Sequence, residues 1–327
     1  MEKRIFNRTL RAVSEIGLGT WQLGGDWGGV SEEQALAIMR SAVESGIDFF
    51  DTADVYGSGR SEELIGKFLR ETKANIFVAT KLGRMPEPGW PENFTEAAIR
   101  KFTENSLRRL GVEALDLTQL HCIPTEEMRR GDVFEHLRKL KAEGKIKEFG
   151  ASVESMEEAL VCLEQDGLAS LQIIFNIFRQ KPLQQLFNKA KIRRVALIVR
   201  LPLASGLLAG KMTGATKFEP GDHRNYNRDG GSFNVGETFA GLPFERGVML
   251  ADELKALVPA GMTMAQWALR WILDHDAVTT VIAGATRPQQ AHDNAMASTL
   301  PPLAPETHTK LSEFYAGKVA EHIRGPY

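Results

Sequence analysis

Short apolar runs rich in Ile, Val, Phe and Leu recur along the chain, each followed by a stretch in which apolar positions return every three or four residues. The runs are 15–20, 47–51, 76–80, 115–120, 146–151, 171–175, 195–199 and 278–283. Near-continuous apolar runs suit strands buried on both faces, and the helical period between them suits crossover helices, so the alternation predicts a parallel sheet. Helix starts are marked chemically as well. Ser31-Glu32-Glu33-Gln34 has the form of a capping box and opens a stripe of Ala35, Ile38, Met39, Ala42 and Val43 that ends at Gly46. Ser155-Met156-Glu157-Glu158 repeats the device ahead of Ala159, Leu160 and Leu163.

Eight such strands close most simply into an α/β fold of the (β/α)8 TIM barrel type, with an open doubly wound sheet as the alternative. Two segments depart from the repeat. From Gly206 to Pro243, after the seventh strand, Gly, Asn, Asp, Arg and aromatics accumulate without a period, as in a long functional loop. From Pro301 onward, prolines precede a C-terminal helix carrying Leu311, Phe314 and Val319, which is expected to pack across the barrel. No repeat, low-complexity tract or linker intervenes, so residues 1–327 are expected to form a single domain.

Composition removes several function classes. With 43% apolar and 25% charged residues the chain can build a packed core and is not disordered. Lys and Arg number 40 against 42 Asp and Glu, and no basic run exceeds a pair, so no nucleic-acid partner is expected. No apolar run reaches bilayer-spanning length, and 1–11 carries charges throughout rather than a secretory signal, so neither a membrane nor export is expected. Cys122 and Cys162 are too few for a disulfide framework and lack metal-ligand spacing; they read as reduced thiols of a cytoplasmic protein. His136, His223, His275, His292, His308 and His322 form no ligand pair, so no metal is expected.

In a barrel of this kind chemistry sits where strands end, and here successive strands end in ionisable groups. The second run closes on Asp51 with Tyr56 in its loop, the third on Lys81, the fourth on His121. Singly, such residues serve as caps, packing or solvated charges. Together they describe proton delivery to a carbonyl: Tyr56 as donor, Lys81 as the cation that lowers the phenol's pKa, Asp51 as the anchor of that cation, and His121 orienting the carbonyl oxygen.

These residues carry a resemblance. Asp51-Thr52-Ala53-Asp54-Val55-Tyr56-Gly57 followed by Ser61-Glu62-Glu63-Leu64-Ile65-Gly66 resembles the first signature of the aldo-keto reductase superfamily. The segment 17–25, Ala79-Thr80-Lys81, Leu120-His121 and Gly284-Ala285-Thr286-Arg287-Pro288-Gln289-Gln290 match it in order. The likeness extends from about Arg4 to Ser298 and is similar to the bacterial branch related to potassium-channel β-subunits.

The resemblance implies a (β/α)8 barrel that binds NADP(H), less readily NAD(H), across the strands' C-terminal ends without a Rossmann motif. It implies an NADPH-dependent oxidoreductase reducing aldehydes or ketones, or oxidising the alcohol, with Tyr56 as general acid and Asp51, Lys81 and His121 as its catalytic partners. The implied cofactor contacts are Thr20, Trp21 and Asp51, with Ser152 and Gln172 at the carboxamide; Val153 replaces the usual Asn beside Ser152. Arg200 stands where an aromatic usually stacks under the nicotinamide, so it stacks there, meets a substrate anion, or pairs with an acidic neighbour. Leu203, Gly206, Leu208, Gly210 and Lys211 lie along the implied pyrophosphate segment. Gly284, Thr286, Arg287 and Gln290 lie at the implied phosphate site, and Asn294, with Asp293, at the adenine edge. A redox sensor or regulatory subunit with little turnover is the alternative function. A third reading makes Lys81 a Schiff-base lysine, which would require a depressed pKa. The substrate pocket draws on Trp21, Trp27, Cys122-Ile123-Pro124, His223, Arg224, Tyr226, Phe233 and Phe239, which leaves open a polar, sugar-like pocket or an aromatic one. Oligomeric state is not legible.

Overall fold

A computed structural model describes residues 1–6, 9–24 and 29–327. Gly25 and Trp27, named above, lie outside the described residues. The chain opens with an antiparallel hairpin, β1 (Lys3–Phe6) and β2 (Arg11–Ser14). The barrel strands follow: β3 (Ile16–Gly19), β4 (Phe49–Asp51), β5 (Phe77–Leu82), β6 (Leu115–His121), β7 (Ile146–Ser152), β8 (Ser170–Ile174), β9 (Ala196–Arg200) and β10 (Val278–Gly284). Each pairs in parallel with the next, and β10 returns to β3 with Val281 opposite Ile16 and Gly284 opposite Gly19, closing the barrel.

The parallel register demands crossovers, and helices supply them. They are α1 (Glu32–Glu44), α2 (Arg60–Thr72), α3 (Glu96–Leu110), α4 (Thr125–Arg130), α5 (Asp132–Ala142), α6 (Met156–Leu163), α7 (Lys181–Gln185) and α8 (Phe187–Arg193). Ser31 caps α1 by accepting from the Gln34 amide, and Ser155 and Glu158 form a reciprocal capping box on α6. Within the barrel, Phe49, Phe77, Leu117, Ala196 and Ile198 form a separate apolar plug. Phe6 and Val13 of the hairpin join it beside the first residues of β4 and β5, so the hairpin stoppers the end of the barrel opposite the strands' C-termini. That hairpin is additional to the expected repeat.

The long segment after β9 is built of short turns around α9 (His223–Tyr226), and the extra length before β10 holds α10 (Phe244–Leu254) and α11 (Met264–Leu273). After β10 come α12 (Pro288–Met296) and α13 (Pro305–Phe314). The tail packs against the outer helices α7 and α11: Asp274 accepts from the Leu303 amide at 2.9 Å, and Gln180 Nε2 donates to the Leu311 carbonyl at 3.1 Å. Beyond, Arg324 Nε donates to the Gly241 carbonyl at 3.0 Å and its Nη1 to Asp229 at 2.7 Å, fastening the tail to the segment after β9. Among the described residues no helix is long and apolar enough to cross a membrane.

Candidate active site

Parallel strands in register bring their last residues to one rim. Lys81 lies opposite Gln119, His121 opposite Ser152, Ser152 opposite Gln172, and Ile174 opposite Arg200. A cavity of about 280 Å³ opens on this rim, walled by Asp51, Tyr56, His121, Ser152, Gln172 and Arg200, and by Thr20, Trp21, Leu203, Gly206, Gly284, Thr286 and Gln290 among others.

Lys81 is fully buried just beneath the cavity, and its ammonium uses all three of its donors. Nζ lies 2.5 Å from Asp51 Oδ1, 2.8 Å from the Thr52 carbonyl and 3.2 Å from the Tyr56 hydroxyl. Burial alone would lower the Lys81 pKa, but the Asp51 carboxylate and the Tyr56 oxygen outweigh it and the pKa rises. That direction is opposite to what a Schiff-base lysine needs. Asp51 is pushed up by burial, against which Lys81, Gln172 and Gln119 favour its charge.

Tyr56 departs from the expected tuning. Burial raises its phenol above the ordinary value, with Lys81 pulling down and Asp51 pushing up, so the hydroxyl stays protonated as a donor. The turn behind it depends on Gly57, whose φ is +59° and whose Cβ would meet the Gly24 carbonyl oxygen at 2.2 Å. His121 sets its ring edge-on to Tyr56, centroids 5.7 Å apart. Burial and the cations of Lys81, Arg84 and Arg200 hold its pKa well below the ordinary range, so the imidazole is neutral. Its Nδ1 has no hydrogen-bond partner among the described residues.

The remaining expected residues divide by position. Thr20 is drawn inward, its hydroxyl donating to the Asp51 carbonyl at 2.8 Å. Arg200 is almost enclosed and pairs with Glu237 from the segment after β9, the acidic-neighbour option among the three readings of this residue. Gln290 lines the cavity but folds back to cap α12, accepting from the Thr286 amide at 2.8 Å. Of the implied pyrophosphate segment, Leu203 and Gly206 line the cavity, while Leu208 buries its side chain in the core and Gly210 is not among the lining residues. Lys211 and Arg287 are exposed and are not among the residues lining the cavity, and Asn294 donates to the Gly284 carbonyl at 3.3 Å. Gly284 lets the Gln22 amide lie directly against the backbone; a Cβ there would displace that flexible side chain.

A family model described as the Aldo/keto reductase family matches residues 15–316. The chain belongs to this family. The aldo-keto reductase YhdN of Bacillus subtilis (strain 168) is 32% identical over 292 residues, 85% of this chain and 83% of that protein. Among solved structures, an aldo-keto reductase of Bacillus halodurans in its holo form superposes with a TM-score of 0.78 at 27% identity, covering 96% of each chain. An aldo/keto reductase of Klebsiella pneumoniae, solved in complex with NADP and acetate, superposes with a TM-score of 0.71 at 25% identity, again over 96% of each.

Within this aldo-keto reductase, some residues escaped sequence reasoning. Gln119, two positions before His121 on β6, contacts Asp51 Oδ2 at 3.4 Å; sharing a strand face with His121 was its available signal. Arg84 and Glu237 had none, since they come from loops whose proximity exists only in the fold. Cys122, Glu154 and Glu237 gather a thiol and two carboxyls within 4.8 Å of one another. Arg84 and Arg200 supply the positive charge there, and burial pushes the Cys122 thiol up to about 12, so the group's chemistry is that of an ion-pair cluster rather than a cation site.

Proposed function

We propose that this aldo-keto reductase is an NADPH-dependent carbonyl reductase with Tyr56 as its general acid. The observation that carries the reading is the Lys81 ammonium bridging the Asp51 carboxylate at 2.5 Å and the Tyr56 hydroxyl at 3.2 Å on the floor of the cleft. The donor set suits a nicotinamide dinucleotide. The Ser152 hydroxyl and the Gln172 carbonyl oxygen line the cleft, joined to each other by a long hydrogen bond of 3.4 Å that a carboxamide would replace; Gln22 Oε1 has no partner among the described residues, and Arg287 is exposed at the start of α12 for a phosphate. When bound, the reduced cofactor supplies a hydride to the carbonyl carbon.

The chain's own residues do the rest. Neutral His121 offers a ring N–H to the carbonyl oxygen and orients it beside Tyr56. The Tyr56 proton passes to that oxygen as negative charge develops on it. The phenolate left behind is stabilised by Lys81, which Asp51 keeps charged and fixed. Reversal of these transfers oxidises the alcohol.

Replacing Tyr56 by Phe keeps the ring and removes the proton. NADPH oxidation with a reactive aldehyde, followed by nicotinamide absorbance, is expected to slow by about 10²–10⁴-fold while NADPH binding by fluorescence titration stays close to wild type. Unchanged turnover in Tyr56→Phe would refute the role. Tight NADPH binding by the wild type without turnover of any carbonyl would favour the sensor reading instead.

A further inference from the structure

Besides Asp51, which is committed to Lys81 and Gln172, Glu237 is the carboxylate that lines the cleft among the described residues. It arrives from the turn Val235–Glu237, in the segment after β9, and its side chain is 10% exposed. Two guanidiniums flank it, with Arg84 Nη1 3.5 Å from Oε1 and Arg200 Nη1 3.6 Å from Oε2. Burial opposes its charge, yet Arg200 and Arg84 hold its carboxyl down at about 2. Glu154, pushed up to about 8 by burial and by Glu237, stays protonated beside it.

Both ion-pair contacts are longer than the roughly 2.7–2.9 Å of a well-made charge-assisted hydrogen bond. Contacts this long are weak, so Arg200 Nη1 keeps donor capacity, and Glu237 Oε2 acceptor capacity, for a further group that sits beside the pair. Arg200 spends Nη2 on the Val153 carbonyl at 3.1 Å, and its Nη1 has no closer acceptor among the described residues. A hydroxyl is the smallest substrate group that accepts from a guanidinium and donates to a carboxylate at once. A substrate carboxylate fits poorly, since it could approach Arg200 only against the negative charge of Glu237. An alkyl group would satisfy neither. Trp21 lines the same cleft, its ring near-parallel to that of Tyr56 at 6.0 Å, and offers apolar surface to a carbon skeleton.

We propose that Glu237, with Arg200 beside it, is a specificity-determining residue that selects neutral carbonyl compounds bearing a hydroxyl group over unsubstituted and carboxylate-bearing ones. The inference rests on the carbonyl-reductase reading above. Its test compares kcat/KM of the full chain with NADPH for glyceraldehyde, propanal and glyoxylate. Glyceraldehyde is expected to exceed propanal by about tenfold or more, with glyoxylate the poorest. In Glu237→Gln the ratio of glyceraldehyde to propanal should fall toward one, chiefly through a raised KM for glyceraldehyde. Glu237→Asp keeps a negative charge between the arginines, which protects the fold, but withdraws the acceptor, and should lower the same ratio. Equal kcat/KM for glyceraldehyde and propanal in the wild type, a preference for glyoxylate, or a ratio that survives both substitutions overturns the selectivity while leaving carbonyl reduction intact. Failure to reduce any of the three with NADPH bound overturns the reductase reading and the selectivity with it.

Discussion

Gln172 on β8 donates an amide hydrogen bond to Asp51 on β4, 2.7 Å away across the mouth of the barrel. The residue expected at a carboxamide is therefore also the second anchor of the carboxylate that holds Lys81. In Gln172→Leu, Asp51 Oδ2 keeps only the Gln119 contact at 3.4 Å. A buried acceptor left without its partner costs about 1–3 kcal/mol, which urea denaturation should register along with a lower kcat. A wild-type unfolding midpoint would show that the bond anchors nothing.

Asp54 couples folding to pH. Burial, with Glu62 adding, pushes its carboxyl from an ordinary 3.8 up to about 8, and neither carboxyl oxygen has a hydrogen-bond partner among the described residues. The folded chain thus holds a proton that the unfolded chain releases across that interval. The associated stability is full below the unfolded pKa and is lost as pH rises through the folded one, at up to about 1.4 kcal/mol per pH unit. Asp54→Asn, which mimics the protonated acid, should gain on wild type as pH increases from 5 to 8 in parallel denaturation curves. A constant difference between the two proteins over that range would contradict the assignment.

Gly57→Ala tests how the turn positions Tyr56. The substitution strains a left-handed φ of +59° and drives a methyl toward the Gly24 carbonyl. A loss of about 1–3 kcal/mol in stability is expected, with a fall in kcat larger than the loss of folded protein explains, because Tyr56 must shift with its neighbour. Thermal melting and kcat on the folded fraction separate the two effects.

His121, held well below its ordinary pKa by burial and by three cations, should not titrate near neutrality. The pH profile of kcat/KM is expected to show no limb around pH 6.5, and ring resonances of His121 in NMR should stay constant through that region. A limb there that vanishes in His121→Asn would mean that the imidazolium is populated.

The strands were legible because burial on both faces leaves near-continuous apolar runs, and each observed barrel strand lies within a few residues of its run. Asp51, Lys81 and His121 were legible for a related reason: once the strands are in register, their ends must meet. The hairpin Lys3–Phe6 with Arg11–Ser14 was not, since two four-residue strands carry too short an alternation to stand out. In the segment after β9, composition does not say which side chain faces the cavity, as Leu203 does, and which is buried in the core, as Leu208 is. Burial also reversed the expected sign for Tyr56, because desolvation depends on surroundings that no motif encodes.

The segment after β9 is held from two sides: Arg324 fastens it from the tail, while Arg84, just past β5, and Arg200, the last residue of β9, flank Glu237. On the proposals above, proton transfer belongs to strands of the barrel wall, while choice of substrate adds Glu237 from a segment strapped onto that wall. A graft of this segment, moved together with its tail fastening, is a route to new substrates that leaves the proton-handling strands untouched.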